Sequence, residues 1–203
     1  MAFRVAKDVL QEMHARHAES SRMWELKAAE LRYSMEILFR QVFADTAVKL
    51  KHRRRKSLRV SLHSVALMLA AMMIEALAKA VLVERGQTAV VEKLKNHNLR
   101  NAVVAAGYSP DPADTAFLNR LSEFLRWAGR YPTPWKHEHM AVDDERGTRN
   151  IVSGSLVGAD LVRARTIADA LESRLGTATR VRTGMRLPSG RSSPDPRRKQ
   201  RRV

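Results

Sequence analysis

The chain reads as an all-α protein, an antiparallel up-and-down helical bundle, and three observations predict it. Val65 to Val83 (VALMLAAMMIEALAKAVLV) holds seventeen apolar residues in nineteen, interrupted only by Glu75 and Lys79. Amphipathic stretches with apolar residues near i, i+3/i+4 and i+7 lie on both sides of it. Aromatic residues make up only 5% of the chain, and no long Val/Ile/Thr alternation marks a half-buried strand.

The central stretch predicts a helix because Ala, Leu and Met dominate it and neither Gly nor Pro enters it. Ser61 or Ser64 offers an N-cap, and Gly86 stands where a C′ glycine ends a helix. A helix apolar on nearly every side has to be covered by protein or lipid. At ~1.5 Å per residue it reaches roughly 28 Å, close to a bilayer core. Energy favours protein. An ionised Glu75 at mid-span costs about 2.5–3.5 kcal/mol and Lys79 adds to that, while each Leu, Ile or Val returns only about 0.3–0.6 kcal/mol. Glu75 and Lys79 are also i, i+4 in the favourable order and can pair. A buried bundle helix, with no membrane span, is the expectation.

Length and charge divide the 203 residues into three parts. Residues 1–56 form N-terminal amphipathic helices ending in a basic run, 57–176 a helical core, and 177–203 an Arg-rich tail. The net charge of +16 is confined to two places. Lys49, Lys51, Arg53, Arg54, Arg55, Lys56 and Arg59 crowd one segment without an acid. The segment from Arg180 to Val203 sets nine Lys/Arg against Asp195 and ends in Arg197, Arg198, Lys199, Arg201 and Arg202. The remainder is nearly neutral. Confined basic patches point to localised contacts with RNA or another polyanion. The first run, beside an apolar helix, also suits an anionic membrane face or a solvated helix end. The absence of cysteine removes disulfides and thiolate metal sites and suits a reducing, cytoplasmic setting. The segment MAFRVAKDVLQEMHARH lacks the apolar core of a signal peptide.

In chain order, residues 2–19 predict an amphipathic helix with Phe3, Val9, Leu10, Met13 and His17 near one side. His14 and His17 lack a nearby third ligand and read as solvated or half-buried. Ser20 or Ser21 caps a second helix running to about Lys51, with the stripe Trp24, Leu31, Met35, Leu38, Val42 and Phe43. Its other positions are mostly charged, so it faces solvent and packs against the first helix or a partner. After the central helix, Thr88 to Lys95 forms a short helix or linker. Asn96-His97-Asn98-Leu99 opens another helix with Leu99, Val103 and Val104 apolar and Gly107 as its stop. Tyr108 to Pro112 is a turn. The helix from about Ala113 to Ala128 buries Phe117, Leu118, Leu121, Phe124 and Leu125, and Gly129 to Pro134 ends it.

Trp135 to Gly154 is polar and reads as irregular. His137-Glu138-His139 and Asp143-Asp144-Glu145 within one loop are too weak a pattern to assign a metal, and no cofactor is expected. The last helix runs from about Ser155 to Leu175, with Val157, Leu161, Ala164, Ala168, Leu171 and Leu175 inward and Gly176 as its stop. The Arg/Ser/Gly/Pro-rich remainder cannot bury enough apolar surface to offset its ordering entropy and is expected to be disordered. Such arms bind phosphates through counterion release. No P-loop, G-x-S-x-G or Rossmann fingerprint occurs.

Three pieces in order resemble the HEPN family over roughly residues 57–175. MMIEALAKAVLV is similar to the family's buried helix, in which Glu and Lys one turn apart interrupt an apolar run. Lys95-Asn96-His97-Asn98-Leu99 resembles a short "His-Asp-Leu" helix opening, with Asn98 in place of the acid. Trp127-Ala128-Gly129-Arg130-Tyr131-Pro132 resembles an "Arg-Tyr-Pro" segment after the third core helix. The resemblance implies an antiparallel bundle that forms a homodimer, in a toxin–antitoxin, phage-defence or RNA-processing setting, with an antitoxin or nucleotidyltransferase as partner. It also implies that active members are metal-independent ribonucleases using an R-x(4–6)-H motif at the start of the last helix. There a cation holds the scissile phosphate and an imidazole moves the 2′-hydroxyl proton. Arg130 and His137, six residues between them, are the pair at that spacing. Tyr131 replaces the usual polar residue, and Pro132 and Pro134 lie inside the motif. Three readings stay open: a non-catalytic RNA-binding bundle, a metal-independent endoribonuclease using Arg130 and His137, and a scaffold or membrane-surface protein.

Overall fold

The computed structural model describes residues 7–51, 62–94, 96–129, 137–143, 146–152 and 158–176, leaving aside the side chains of 7, 45–51 and 137. Seven α-helices make up most of it: α1 (Lys7–Ala18), α2 (Ser21–Lys51), α3 (His63–Glu84), α4 (Thr88–Lys93), α5 (Leu99–Ala105), α6 (Pro112–Glu123) and α7 (Gly158–Glu172). A π turn (Phe124–Ala128) extends α6, and a 3-10 turn (His137–Met140) leads into a hairpin of β1 (Ala141–Asp143) and β2 (Arg149–Ile151).

The apolar helix sits at the centre, as its composition requires. α3 buries residues on every side, among them Leu67, Met73, Ile74, Leu77 and Leu82. By length and a mean hydropathy of 2.1 it could cross a bilayer, but 72% of that window is covered by the rest of the chain. α2, α5, α6 with its π turn, and α7 supply the cover. Ion pairs fix how the helices run. Lys79 Nζ lies 5.1 Å from the centroid of the Trp24 ring, which sets the start of α2 beside the end of α3. Arg32 meets Asp169 at 2.7 Å and Glu172 at 2.8 Å, and Arg165 pairs with Glu36, so α7 runs antiparallel to α2. Arg163–Asp114 and Arg120–Asp160, both 2.6 Å, set α6 antiparallel to α7.

Local chemistry sets the helix ends. Gly86 takes φ +70°, and its N–H and that of Gln87 donate to Val83 O (2.9 Å) and Leu82 O (2.8 Å). Those paired bonds satisfy carbonyls that a helix end otherwise leaves bare. Gly107 repeats the device at φ +88°. Asp111 caps α6 by accepting the Asp114 N–H, and Pro112 follows at the first helical position, where its missing N–H costs nothing.

Several expectations are corrected. Leu62, rather than Ser61 or Ser64, is the N-cap of α3, with no side-chain cap bond; Ser64 already lies inside the first turn, and Ser61 falls outside the described residues. On α2 the core takes Phe39, fully buried, while Phe43 is 37% exposed. Val104 of α5 faces out and Ile167 of α7 faces in. The segment read as irregular contains a hairpin, with Ala141 opposite Ile151 and Asp143 opposite Arg149. α1 leaves Val9, Leu10 and Met13 all exposed rather than packing them on the bundle. Its link to α2 is a corner in which Trp24 Nε1 donates to Ala18 O at 3.0 Å.

Candidate functional site

Two buried carboxylates on the inner helices organise the polar chemistry of the bundle. Glu75 is 8% exposed in the middle of α3. Lys79 Nζ reaches its Oε1 at 2.8 Å, the pairing expected one turn along. His97 Nδ1 approaches the same carboxylate at 3.2 Å. That contact depends on the backbone, because His97 has φ 56°, a left-handed conformation that costs a non-glycine residue about 1 kcal/mol or more. The strained residue is held on its far side, where the Asn98 side chain caps α5 by accepting the Asn101 N–H at 3.0 Å.

Glu123, 5% exposed at the end of α6, forms the second centre. Its carboxylate meets Arg126 Nη1 at 2.5 Å, Trp127 Nε1 at 3.0 Å and His139 Nδ1 at 3.3 Å. Trp127 Nε1 also reaches His139 O at 3.1 Å, fastening the turn before β1 to the π turn. Arg126 Nε donates to Asn96 O at 3.3 Å, one residue from His97. The two centres are therefore joined through one guanidinium. Ser122 Oγ ties the same junction by accepting the Leu99 N–H at 3.0 Å and donating to Leu118 O at 2.8 Å. A pocket of about 180 Å³ opens here, lined by Asn98, Asn119, Ser122, Glu123, Arg126 and Asp143, among others.

A carboxylate only accepts hydrogen bonds, so each imidazole facing one donates from Nδ1, which leaves Nε2 for contact with a solute. His97 and His139 have side chains 45% and 36% exposed, within reach of a solute. The junction thus brings together two carboxylate-backed imidazoles and an arginine. Among the described residues no group of three His, Asp or Glu is placed to hold a metal ion.

The sequence-selected residues are placed unevenly. Arg130 lies outside the described residues, and of His137 only the backbone is described, in the 3-10 turn. Lys49 and Lys51 belong to the last turns of α2 with their side chains outside the description. Arg53, Arg54, Arg55, Lys56 and Arg59 fall outside it, as do Arg197, Arg198, Lys199, Arg201 and Arg202. Their anchoring points are described. Gly129, immediately before Arg130, packs on Met68 so closely that an added Cβ would lie 2.7 Å from its Sδ. Met68 is in the second turn of α3, near the end to which the basic run leads from α2. Gly129, which precedes Arg130, and the start of α3, which follows the basic run, thus lie at the same end of the bundle.

Sequence reasoning passed over Glu123 and Arg126. Their i, i+3 spacing, with Trp127 at i+4, was the available signal. His139 entered only within the His137-Glu138-His139 pattern that was too weak to assign a metal, whereas its Nδ1 is on Glu123. No protein-family model matches this chain, and no match was found among curated proteins or solved structures.

Proposed function

We propose that this protein is a HEPN-like helical protein that binds RNA, in the cytoplasm and in a toxin–antitoxin or phage-defence setting. The observation that supports this most is that Gly129, which precedes Arg130 in the chain, packs on the end of α3 that the seven-cation run precedes, in a bundle otherwise near neutral. The bundle order suits the resemblance, and a homodimer with an antitoxin or nucleotidyltransferase partner belongs to the same reading. Fluorescence anisotropy with single-stranded RNA at rising salt tests it. Each neutralised phosphate contributes about 0.7 to the slope of log affinity against log salt. Replacing Arg53, Arg54 and Arg55 with Gln should therefore lower that slope by roughly 2. No binding at low salt, or affinity indifferent to salt, sinks the proposal.

The junction at Glu123 favours a second reading, a metal-independent endoribonuclease. An imidazole with a free Nε2 can take the 2′-hydroxyl proton, and an arginine can hold the phosphate. Cleavage in EDTA leaving 2′,3′-cyclic phosphate ends is the expected signature. Arg130→Ala and His137→Ala test the pair read from the sequence, and His139→Ala tests the carboxylate-backed imidazole. Whichever histidine substitution abolishes cleavage identifies the base, and loss of cleavage in Arg130→Ala assigns that arginine to the phosphate. An absence of cleavage leaves the binding reading alone.

A further inference from the structure

The outward side of α2 carries an apolar seam that no other described element covers. On the inward side Ala28, Leu31, Met35, Phe39 and Val42 are at most 7% exposed, whereas Met23, Leu26, Tyr33 and Ile37 are 38–44% exposed. These four belong to a single alternating three–four repeat, 23, 26, 30, 33, 37, 40 and 44, completed by Glu30, Arg40 and Ala44. Scattered surface apolar residues have no such phase. A repeat averaging 3.5 residues is the pattern of a helix laid along another helix.

We infer that α2 pairs antiparallel with the α2 of a second copy of this chain, about a two-fold axis at the level of Met35. The two charged members of the seam select that arrangement. In-register parallel pairing would set Glu30 against Glu30 and Arg40 against Arg40, and like charges facing each other oppose association. Antiparallel pairing about residue 35 sets Glu30 against the partner's Arg40, and two-fold symmetry makes that contact twice. The same register sets Tyr33 against the partner's Ile37 and Leu26 against the partner's Ala44. Moving the axis half a repeat toward the start of α2 would face Glu30 with Tyr33 and Arg40 with Met23, leaving both charges opposite uncharged groups. Arg40 makes no ion pair with a described residue. Glu30 is held only by the exposed Lys27 at 3.1 Å, a contact it can give up readily.

Sedimentation velocity on the full chain, freed of nucleic acid by nuclease and high-salt washing, reads the outcome directly. The wild type should sediment as a dimer at micromolar concentration. Ile37→Glu should weaken dimerisation at least 100-fold while circular dichroism and melting of the monomer stay near wild type. Glu30→Arg and Arg40→Glu should each weaken it about tenfold, and the double variant E30R/R40E should return to within about threefold of wild type. A monomeric wild type overturns the inference, as does a dimer indifferent to Ile37→Glu. A double variant as weak as the two single effects combined overturns the register. Because the double variant is judged by recovery, misfolding of one single variant does not mask the result.

Discussion

The two long helices of this protein contrast in how completely they are closed. α3 is sealed on every side, and its one central acid is tied to Lys79 and His97. α2 is sealed on one side and open on the other, where it presents a regular apolar seam and an exposed Arg40. α3 shows that overall hydropathy reports how many sides of a helix are covered. α2 shows that the phase of its exposed residues reports what has still to cover it.

Substitutions at matched positions sharpen the contrast. Ile74→Ala, at a fully buried site in α3, should cost about 2–5 kcal/mol in urea unfolding. Ile37→Ala on the open side of α2 should stay within about 0.5 kcal/mol when measured on the monomer. Equal losses would erase the distinction between the two helices. Lys79→Met comes next in size. It leaves Glu75 buried with only His97 beside it and should cost about 2–3 kcal/mol. The double change Lys79→Met with Glu75→Leu should recover most of that loss, because the uncompensated charge is gone. A double variant as unstable as the single would place the loss in packing instead.

Gly129→Ala should cost about 1–3 kcal/mol, since the new methyl group meets Met68 well inside contact distance. Met68→Gly in the same chain, which removes the Cβ, Cγ and Sδ atoms that the new methyl group meets, should relieve the clash, a recovery readable from melting curves paired with Met68→Gly alone. The smallest effect has the opposite sign. Glu25, on the closed side of α2, is 6% exposed, and its Oε1 has no hydrogen-bond partner among the described residues. Burial pushes its carboxyl above the ordinary range, with Glu84 and Glu172 nearby adding to the rise and Arg22 opposing it. The folded state therefore binds this proton more tightly than the unfolded chain does. Stability falls as pH climbs from the unfolded carboxylate value of about 4.3 through the raised folded value. Glu25→Gln should raise stability by about 1 kcal/mol at neutral pH, and the gain should vanish below about pH 4. Melting temperature against pH for both proteins checks the sign, and a gain that persists in acid rules out titration as its cause.

Helix positions were legible because their ends carry local chemistry: Asn98, Asp111-Pro112, Gly86 and Gly107 act within a few residues of themselves. Facing was less legible in long helices. Over the 31 residues of α2 a small error in phase accumulates, which is why Phe43 was read as inward and Phe39 passed over. The hairpin left no sequence trace because three-residue strands are too short to display a period of two. The pairing of Glu123 with His139 depends on how a distant turn folds back, and nothing local to either residue announces it.

The π turn at Phe124–Ala128 adds a mechanical property to this picture. There the Gly129 N–H reaches back five residues to Phe124 O at 3.2 Å, so the segment holds one residue more than an ordinary turn needs. A chain shortened by that residue could rewind as plain α-helix without an internal break. Everything downstream would then swing by about 100° and draw back by about 1.5 Å. Gly129 would leave Met68. The surplus residue works as an azimuth setting: it aims the chain beyond the helix and leaves the helix itself intact.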